Sequence, residues 1–367
     1  MRVGIPTEIK VQERRVGMTH DGVADLTREG HSVFVQSGAG LGIDISDEQY
    51  QAAGATIVAD ADAVFGEAEL IIKVKEPQLV ECKKLTSDHT LFTYLHLAAD
   101  KPQAEALCES GCTAIAYETV TASIGGLPLL KPMSQVAGRM SVQVGTHLLE
   151  SAAGGRGLLL SGVPGVGAAK VVILGGGIAG TNALQMALGA RADVTLFEKS
   201  VQRLEELDRH YGTQTALRYS SHNAICEAIK DADLVIGTVL IPGAAAPKLI
   251  TRDMLGIMKK GAVLVDVSID QGGCFETSKP TTHDEPTYVV DDVVHYCVAN
   301  MPGGVSRTST FALTNATIPY IQKLVSGGLE AVANDGHFAN GVNVHRGDIT
   351  HKAVADALEM PYSPFSL

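Results

Sequence analysis

The chain has no tryptophan, no run of lysines or arginines, no paired cysteines and no unbroken apolar stretch of membrane length. Each absence narrows the field. With 41 acidic residues against 29 basic ones and a formal net charge of −12, the chain lacks the basic footing that a phosphate backbone requires, which argues against a nucleic-acid binder. The six cysteines (Cys82, Cys108, Cys112, Cys226, Cys274, Cys297) form no CxxC pair, and no histidine cluster completes a zinc spacing. They read as isolated thiols in a reducing compartment. The opening "MRVGIPTEIK" has no apolar core of a secretory signal. The most apolar region, "GLLLSGVPGVGAAKVVILGGGIAG", is interrupted by Pro164, Lys170 and clustered glycines, so it does not read as a membrane span. A soluble cytoplasmic protein is expected, with neither nucleic acid nor membrane as partner.

What is present points to an α/β protein. Hydrophobic residues make up 45% and charged residues 19% of 367, ample for large cores, and 39 glycines suit many tight strand-to-helix turns. Strand-like and helix-like segments alternate: "RVGI", a helical "GVADLTREG" closing on Gly30, "HSVFVQ", a helix near Glu48 to Ala53, "ATIV", "ADAVFGEAE", "LIIKVKE", "TLFTYLHL", "PQAEALCESG" and "TAIAYETV". A long helical pattern runs from Ser134 to Ala153. A second series follows, with strands "KVVIL", "DVTLFE", "TALRYS", "DLVIGTVL", "AVLVDVS" and "HYCVAN", and after Pro302 the chain turns helical again. Such alternation implies mostly parallel sheets covered by helices on both faces. The expected layout is two Rossmann-like domains with a ligand cleft between them, the C-terminal helices returning to the first domain.

One motif carries most of the chemistry. In "KVVILGGGIAGTNALQMALGARADVTLFEKS", Gly175, Gly177 and Gly180 form a GxGxxG directly after an apolar strand and ahead of a helix. Gly175 permits the tight turn, Gly177 lets a pyrophosphate approach the backbone, and Gly180 allows close packing of the helix. The helix N-terminus supplies N–H groups and positive dipole for the phosphates. Glu198 ends the next strand, about twenty residues on, where an acid accepts hydrogen bonds from the adenosine ribose. An acid there repels a 2′-phosphate and favours NAD over NADP, although Lys199 and Arg203 nearby weaken that preference. The earlier "SGAGLGID" (Gly38, Gly40, Gly42) lacks the third spacing and an apolar helix, and reads as a loop.

Open α/β sheets bind ligands beyond the carboxyl ends of their strands, so reactive side chains are sought there. In "LIIKVKEP", Lys73 and Lys75 interrupt an apolar strand and, with a period of two, share one face. Lys75 ends that strand and His96 ends "TLFTYLH", with Tyr94 two residues earlier. Asp270 lies just past "AVLVDVS", and Arg15 lies in the loop after the first strand, where a carboxylate is gripped bidentately. Taken singly, each has a plainer reading: a snorkelling lysine, a satisfied core histidine, a turn-capping aspartate, a solvated arginine. Their shared placement at strand ends is what singles them out. Lys73, one pleat deeper, is expected to have a structural ion pair or a route to solvent.

These segments resemble the family of alanine dehydrogenases and nicotinamide nucleotide transhydrogenase subunits. The resemblance rests on "GIPTEIKVQERRV", "KVKEP", "LFTYLHLAAD", "TAIAYETV", "LPLLKPMSQVAGRM", "GVPGVGAAKVVILGGGIAGTNA", "VLIPGAAAPKLIT", "VLVDVSIDQGGCFET" and "VVHYCVANMPGGVSRTST". It implies NAD-dependent interconversion of L-alanine with pyruvate and ammonia, in a hexamer. Arg15 and Lys75 would bind the substrate carboxylate, Tyr94 and Met133 would line its pocket, and His96 and Asp270 would be the acid/base pair. NAD would be contacted by Ser134, Ile178, Ala179, Glu198, Arg203, Ser220, Val239, Leu240, by Val267, Ser268, Ile269 and Asp270, and by Val298, Ala299, Asn300 and Met301, in addition to the glycine turn. Residues 1–129 with 306–367 would bind the substrate, and residues 130–305 the NAD. Many relatives carry Asp at the position of Glu198. A magnesium site of some relatives has no acid here, where Gln322 and Lys323 stand, so no metal is expected. The rival readings are a nucleotide-binding subunit of a membrane transhydrogenase and a dehydrogenase for another amino acid, such as a saccharopine-type enzyme.

Overall fold

The computed structural model describes residues 1–239 and 246–367. They divide into two compact units: Met1–Met133 with Val305–Leu367, and Ser134–Gly304. The strands, in chain order, are β1 (Arg2–Ile5), β2 (Ser32–Gln36), β3 (Thr56–Val58), β4 (Leu70–Ile72), β5 (Thr90–Thr93), β6 (Thr113–Ala116), β7 (Lys170–Leu174), β8 (Asp193–Glu198), β9 (Ala216–Tyr219), β10 (Leu234–Gly237), β11 (Val263–Asp266), β12 (Thr287–Val290), β13 (Val293–Tyr296), β14 (Val342–His345) and β15 (Asp348–Ile349).

The first unit holds a sheet of order β15-β14-β6-β5-β4-β1-β2-β3. From β6 to β3 all pairings are parallel, and β14 joins antiparallel to β6. Its central strand β4 is apolar throughout, and Leu70, Ile71 and Ile72 are fully buried, as a strand covered on both faces requires. Helix His20–Arg28 starts on Thr19, whose side chain accepts the Gly22 N–H, and the chain turns after it at Gly30 (φ 88°). The C-terminal chain does return to this unit. Its long helical stretch, Ser306–Ala333, breaks at Gly328 (φ 57°, ψ −151°), and its Thr314 and Ile318 pack beside Gly22, where an added Cβ would lie 3.2 Å from each and 2.8 Å from Met18.

The second unit holds a seven-stranded sheet of order β12-β13-β11-β10-β7-β8-β9, parallel except for the β12–β13 hairpin. Helix Ile178–Gly189 leads from β7 to β8, the arrangement expected of a dinucleotide-binding βαβ unit. Among the described residues no helix is long and apolar enough to cross a membrane.

Two strands end sooner than the sequence indicates. β4 stops at Ile72, so Lys73 and Lys75 stand on the irregular segment after it and not on one strand face. β5 stops at Thr93, which leaves Tyr94 and His96 beyond its end. The Lys73 and Tyr94 N–H groups still reach the Phe92 and Val74 carbonyls, but past them side chains take over the backbone polar groups, Glu8 accepting the Val74 N–H and Glu118 those of Leu95 and His96.

Candidate functional site

In the first unit the strand order reverses between β1 and β4, one leading out to β2 and β3, the other to β5 and β6. Beyond the carboxyl ends at such a switch point the flanking loops diverge and leave a crevice. The loop after β1 carries Arg15, the segment after β4 carries Lys75, and the segment after β5 carries Tyr94 and His96.

Arg15 is 2% exposed. Glu13 grips it bidentately, Oε1 accepting Nε–H at 2.7 Å and Oε2 accepting Nη2–H at 2.6 Å, while Oε1 also takes the Arg15 backbone N–H at 3.0 Å. Burial works against the guanidinium charge, but the hydrogen bonds and charge of Glu13 outweigh it and hold Arg15 above its ordinary pKa. Its Nη1 donates to the Met133 sulfur at 3.2 Å, so these two sequence-predicted residues do meet.

Tyr94 is buried, and its hydroxyl donates to the Leu129 carbonyl at 2.6 Å. Burial pushes its phenol well above the usual value. The His96 ring lies nearly parallel to it, 7° between planes and 5.8 Å between centroids. His96 has left-handed backbone angles (φ 49°, ψ 34°), which cost a non-glycine residue about 1 kcal/mol or more. Glu118 offsets that cost: its Oε1 accepts the His96 N–H at 2.6 Å and both oxygens lie within 3.3 Å of the Leu95 N–H. The same carboxylate lies 4.0 Å from His96 Nδ1. The imidazole side chain remains 51% exposed and reachable. Lys75 is partly buried, with Nζ 3.9 Å from Glu76, and its carbonyl accepts the Thr93 hydroxyl at 2.9 Å.

In the second unit the order reverses between β7 and β10. The three glycines of the turn after β7 serve three different ends. Gly175 has φ 104°, closed to ordinary side chains. A Cβ on Gly180 would sit 1.9 Å from the Gly175 carbonyl oxygen, so only glycine allows the helix this close. A Cβ on Gly177 would meet nothing within 4 Å, which leaves open space in front of the N-terminus of helix Ile178–Gly189. Ile178 and Ala179 open that helix, where its first N–H groups lack helical partners.

Glu198 is locked by backbone amides: Oε2 accepts Gly176 N–H at 2.8 Å, and Oε1 accepts Lys199 and Ser200 N–H at 2.7 and 2.9 Å. Ser220 donates its N–H to the Glu198 carbonyl at 2.9 Å. Arg203 turns to the protein. Nε donates to the Gly176 carbonyl at 2.8 Å, Nη2 to Thr181 at 2.9 Å, and Nη1 to Glu206 at 2.7 Å.

Val267, Ser268 and Ile269 follow β11 on a turn built around the buried Asp266, which accepts the N–H groups of Ser268 (3.1 Å), Cys274 (2.8 Å) and Phe275 (3.3 Å). Asp270 stands exposed on the short 3₁₀ helix Ile269–Gln271. Val298 is fully buried, Ala299 donates to the Thr281 carbonyl at 3.1 Å, Asn300 takes φ 63°, and Met301 opens a 3₁₀ turn. Val239 follows β10 and Ser134 lies on helix Lys131–Leu148, while Leu240 falls outside the described residues. Among the described residues no three metal-ligating side chains gather.

The alanine dehydrogenase/PNT N-terminal domain family matches residues 4–137, and the C-terminal domain family matches residues 141–352. The chain belongs to the alanine dehydrogenase/PNT family. An alanine dehydrogenase of Halomonas elongata is 58% identical over 363 residues, covering 99% of this chain and 98% of the relative. A solved L-alanine dehydrogenase matches with a TM-score of 0.95 at 48% identity, covering 98% of this chain and 99% of that one. A transhydrogenase of Sinorhizobium meliloti matches at TM-score 0.82 and 25% identity, covering 96% and 100%.

Four acids that fasten these segments, Glu13, Glu118, Asp266 and Glu206, are not among the residues that the sequence singles out. Glu13 and Glu118 were within reach, since each lies beside a singled-out segment, in "QERRV" and "AYETV". Asp266 ends an apolar strand in "VLVD", where a charge is out of place unless it is satisfied. Glu206 carries a weaker signal, three residues past Arg203 on one helix face.

Proposed function

We propose that this protein is an NAD-dependent L-alanine dehydrogenase. It converts L-alanine, NAD and water into pyruvate, ammonium, NADH and a proton, and it runs the reverse. Identity of 58% to an alanine dehydrogenase over 99% of the chain carries the reading, and the cations after β1 and β4 agree with it chemically.

NAD, when bound, would supply nicotinamide C4 as the acceptor for the hydride that leaves the alanine α-carbon. Arg15 and Lys75 hold the substrate carboxylate. Arg15, gripped by Glu13, contributes oriented N–H donors, and the Lys75 ammonium beside Glu76 adds a second cation. Met133 and Tyr94 close the pocket around the small side chain. Loss of hydride leaves an α-imino acid, to which water adds at the same carbon. His96 and Asp270 take the proton from that water and return one to nitrogen, which leaves with the C–N electron pair. Gly175, Gly177 and Gly180 admit the pyrophosphate, and the locked Glu198 receives the ribose hydroxyls. Residues 1–129 with 306–367 serve the amino acid, and residues 130–305 serve the cofactor. The family resemblance adds a homohexamer working in the cytoplasm.

Saturation kinetics on a panel of 2-oxo acids with ammonium and NADH tests this. Pyruvate should give the highest kcat/KM. A longer 2-oxo acid that beats it would reassign the substrate, and NADH binding without turnover of any 2-oxo acid would favour the transhydrogenase-subunit reading.

A further inference from the structure

Lys73 is 0% exposed and sits between two buried carboxylates, 2.9 Å from Glu8 Oε2 and 2.8 Å from Glu81 Oε1. Stability alone does not account for this cluster. A buried ion pair or triad is commonly no more stabilising than apolar groups of the same volume, and this one sets two carboxyl groups against a single cation. Burial, the largest influence, drives the Glu8 pKa up, and the nearby Lys73 charge only partly offsets it. Such a cluster is costly to keep, so what it holds in place becomes the question.

The free oxygen edge of Glu8 gives the answer. Its Oε1 accepts the Val74 N–H at 2.6 Å and lies 3.4 Å from the Lys75 N–H. These are successive amides of the segment that has just left β4. Around them the Lys73 carbonyl accepts the Tyr117 hydroxyl at 3.0 Å, the Val74 carbonyl accepts the Tyr94 N–H at 3.3 Å, and the Lys75 carbonyl accepts the Thr93 hydroxyl at 2.9 Å. Of these partners only Glu8 is charged, and only Glu8 spans two residues. Glu81 in turn is fixed by the Gln78 N–H at 2.8 Å. A chain of contacts therefore runs from Gln78 through Glu81, Lys73 and Glu8 to the backbone of Lys75.

We propose that Glu8, held by Lys73 and Glu81, is a positioning residue that sets the backbone from which Lys75 reaches the substrate carboxylate. This rests on the reading of Lys75 as a carboxylate-binding residue. Glu8 and Glu81 make similar ion pairs with Lys73, but Glu8 also accepts the Val74 N–H and approaches that of Lys75, whereas Glu81 accepts the N–H of Gln78. Their alanine variants thus differ in one respect that a purely structural role would not register.

The test compares Glu8→Ala, Glu81→Ala and Lys75→Ala by melting temperature, by NADH affinity from fluorescence titration, and by pyruvate kinetics at saturating ammonium and NADH. Glu8→Ala and Glu81→Ala should lose comparable stability and keep NADH affinity. The pyruvate KM should rise about tenfold more in Glu8→Ala than in Glu81→Ala. Equal KM values in the two would overturn the inference. An unchanged KM in Lys75→Ala would instead overturn the role of Lys75 itself. If Glu8→Ala does not fold, Glu8→Asp replaces it, since it keeps a carboxylate for Lys73 and withdraws it by one methylene from the two amides. The same KM comparison then decides.

Discussion

Glu13 holds Arg15 as a fork holds a fork, with Nε and Nη2 donating to its two oxygens at 2.7 and 2.6 Å in a site where both side chains are at most 2% exposed. Removing one partner of such a pair strands the other in low dielectric. Glu13→Ala should cost about 3–5 kcal/mol of folding stability, measured by urea denaturation. A loss below about 1 kcal/mol, the size of an exposed pair, would show that water reaches the guanidinium.

Lys75 and Lys73, two residues apart, should fail in different ways. Lys75→Ala should keep NADH affinity while turnover collapses. Lys73→Met should leave Glu8 and Glu81 buried together without their cation, at a cost of about 3–5 kcal/mol. Circular dichroism melts beside steady-state assays separate the two outcomes, and a stable, fully active Lys73→Met would contradict the buried triad.

Gly177 allows a test of cofactor binding that spares the fold. Its φ of −69° suits any residue and a Cβ would touch nothing within 4 Å. Gly177→Ala should therefore melt no lower than the native chain, while NADH affinity falls by about tenfold or more as the methyl occupies the path of the pyrophosphate. Gly180→Ala, whose Cβ would meet the Gly175 oxygen at 1.9 Å, should lose stability as well.

Cofactor choice should rest on Glu198 more than on the neighbouring cations. The Arg203 guanidinium is engaged by Gly176, Thr181 and Glu206, so the carboxylate faces a 2′-phosphate with little help at hand. Glu198→Gln should narrow the preference for NADH over NADPH by about tenfold, read from the two dissociation constants. An unchanged ratio would place the discrimination elsewhere.

Acid should weaken the fold through buried histidines. His295 is fully buried, its ring nitrogens facing the Val293 carbonyl at 3.0 Å and the Thr277 hydroxyl at 2.8 Å, and burial lowers its pKa. His345 is likewise lowered by burial. Unfolding returns both to about 6.5. The stability held above that value is lost as pH falls below it, because the unfolded chain then binds more protons. The slope should be positive and stay below roughly 2.7 kcal/mol per pH unit, the limit for two protons. Urea titrations between neutral pH and pH 5 that show no proton uptake on unfolding would refute this.

Much of the fold was legible because its signals are local. The apolar strands, the glycine turn and the acid after β8 each announce themselves within a few residues. Two hairpins carry no such signal. The β12–β13 turn uses Asp291 and Asp292, and the β14–β15 turn uses Arg346 and Gly347, all at positive φ, without the Asn-Gly or Asp-Gly pair that usually marks such turns. The strand ends were misjudged for another reason. Whether Lys73 continues β4 depends on Glu8 and Tyr117, which are 65 and 44 residues away. No periodicity within "LIIKVKEP" could reveal that. The two lysines do not share a strand face; Lys73 has the ion pair expected of it, in a cluster whose Glu8 also meets the backbone of the Lys75 segment.

The most direct measurement follows the hydrogen itself. Pyruvate, ammonium and NADH carrying deuterium at both C4 positions of the nicotinamide are incubated with the protein, and the product is read by proton NMR. Alanine bearing one deuterium at its α-carbon, formed only when ammonium is present, is the expected result. Deuterated lactate, or alanine without deuterium, would contradict hydride transfer between alanine and NAD as the activity of this chain.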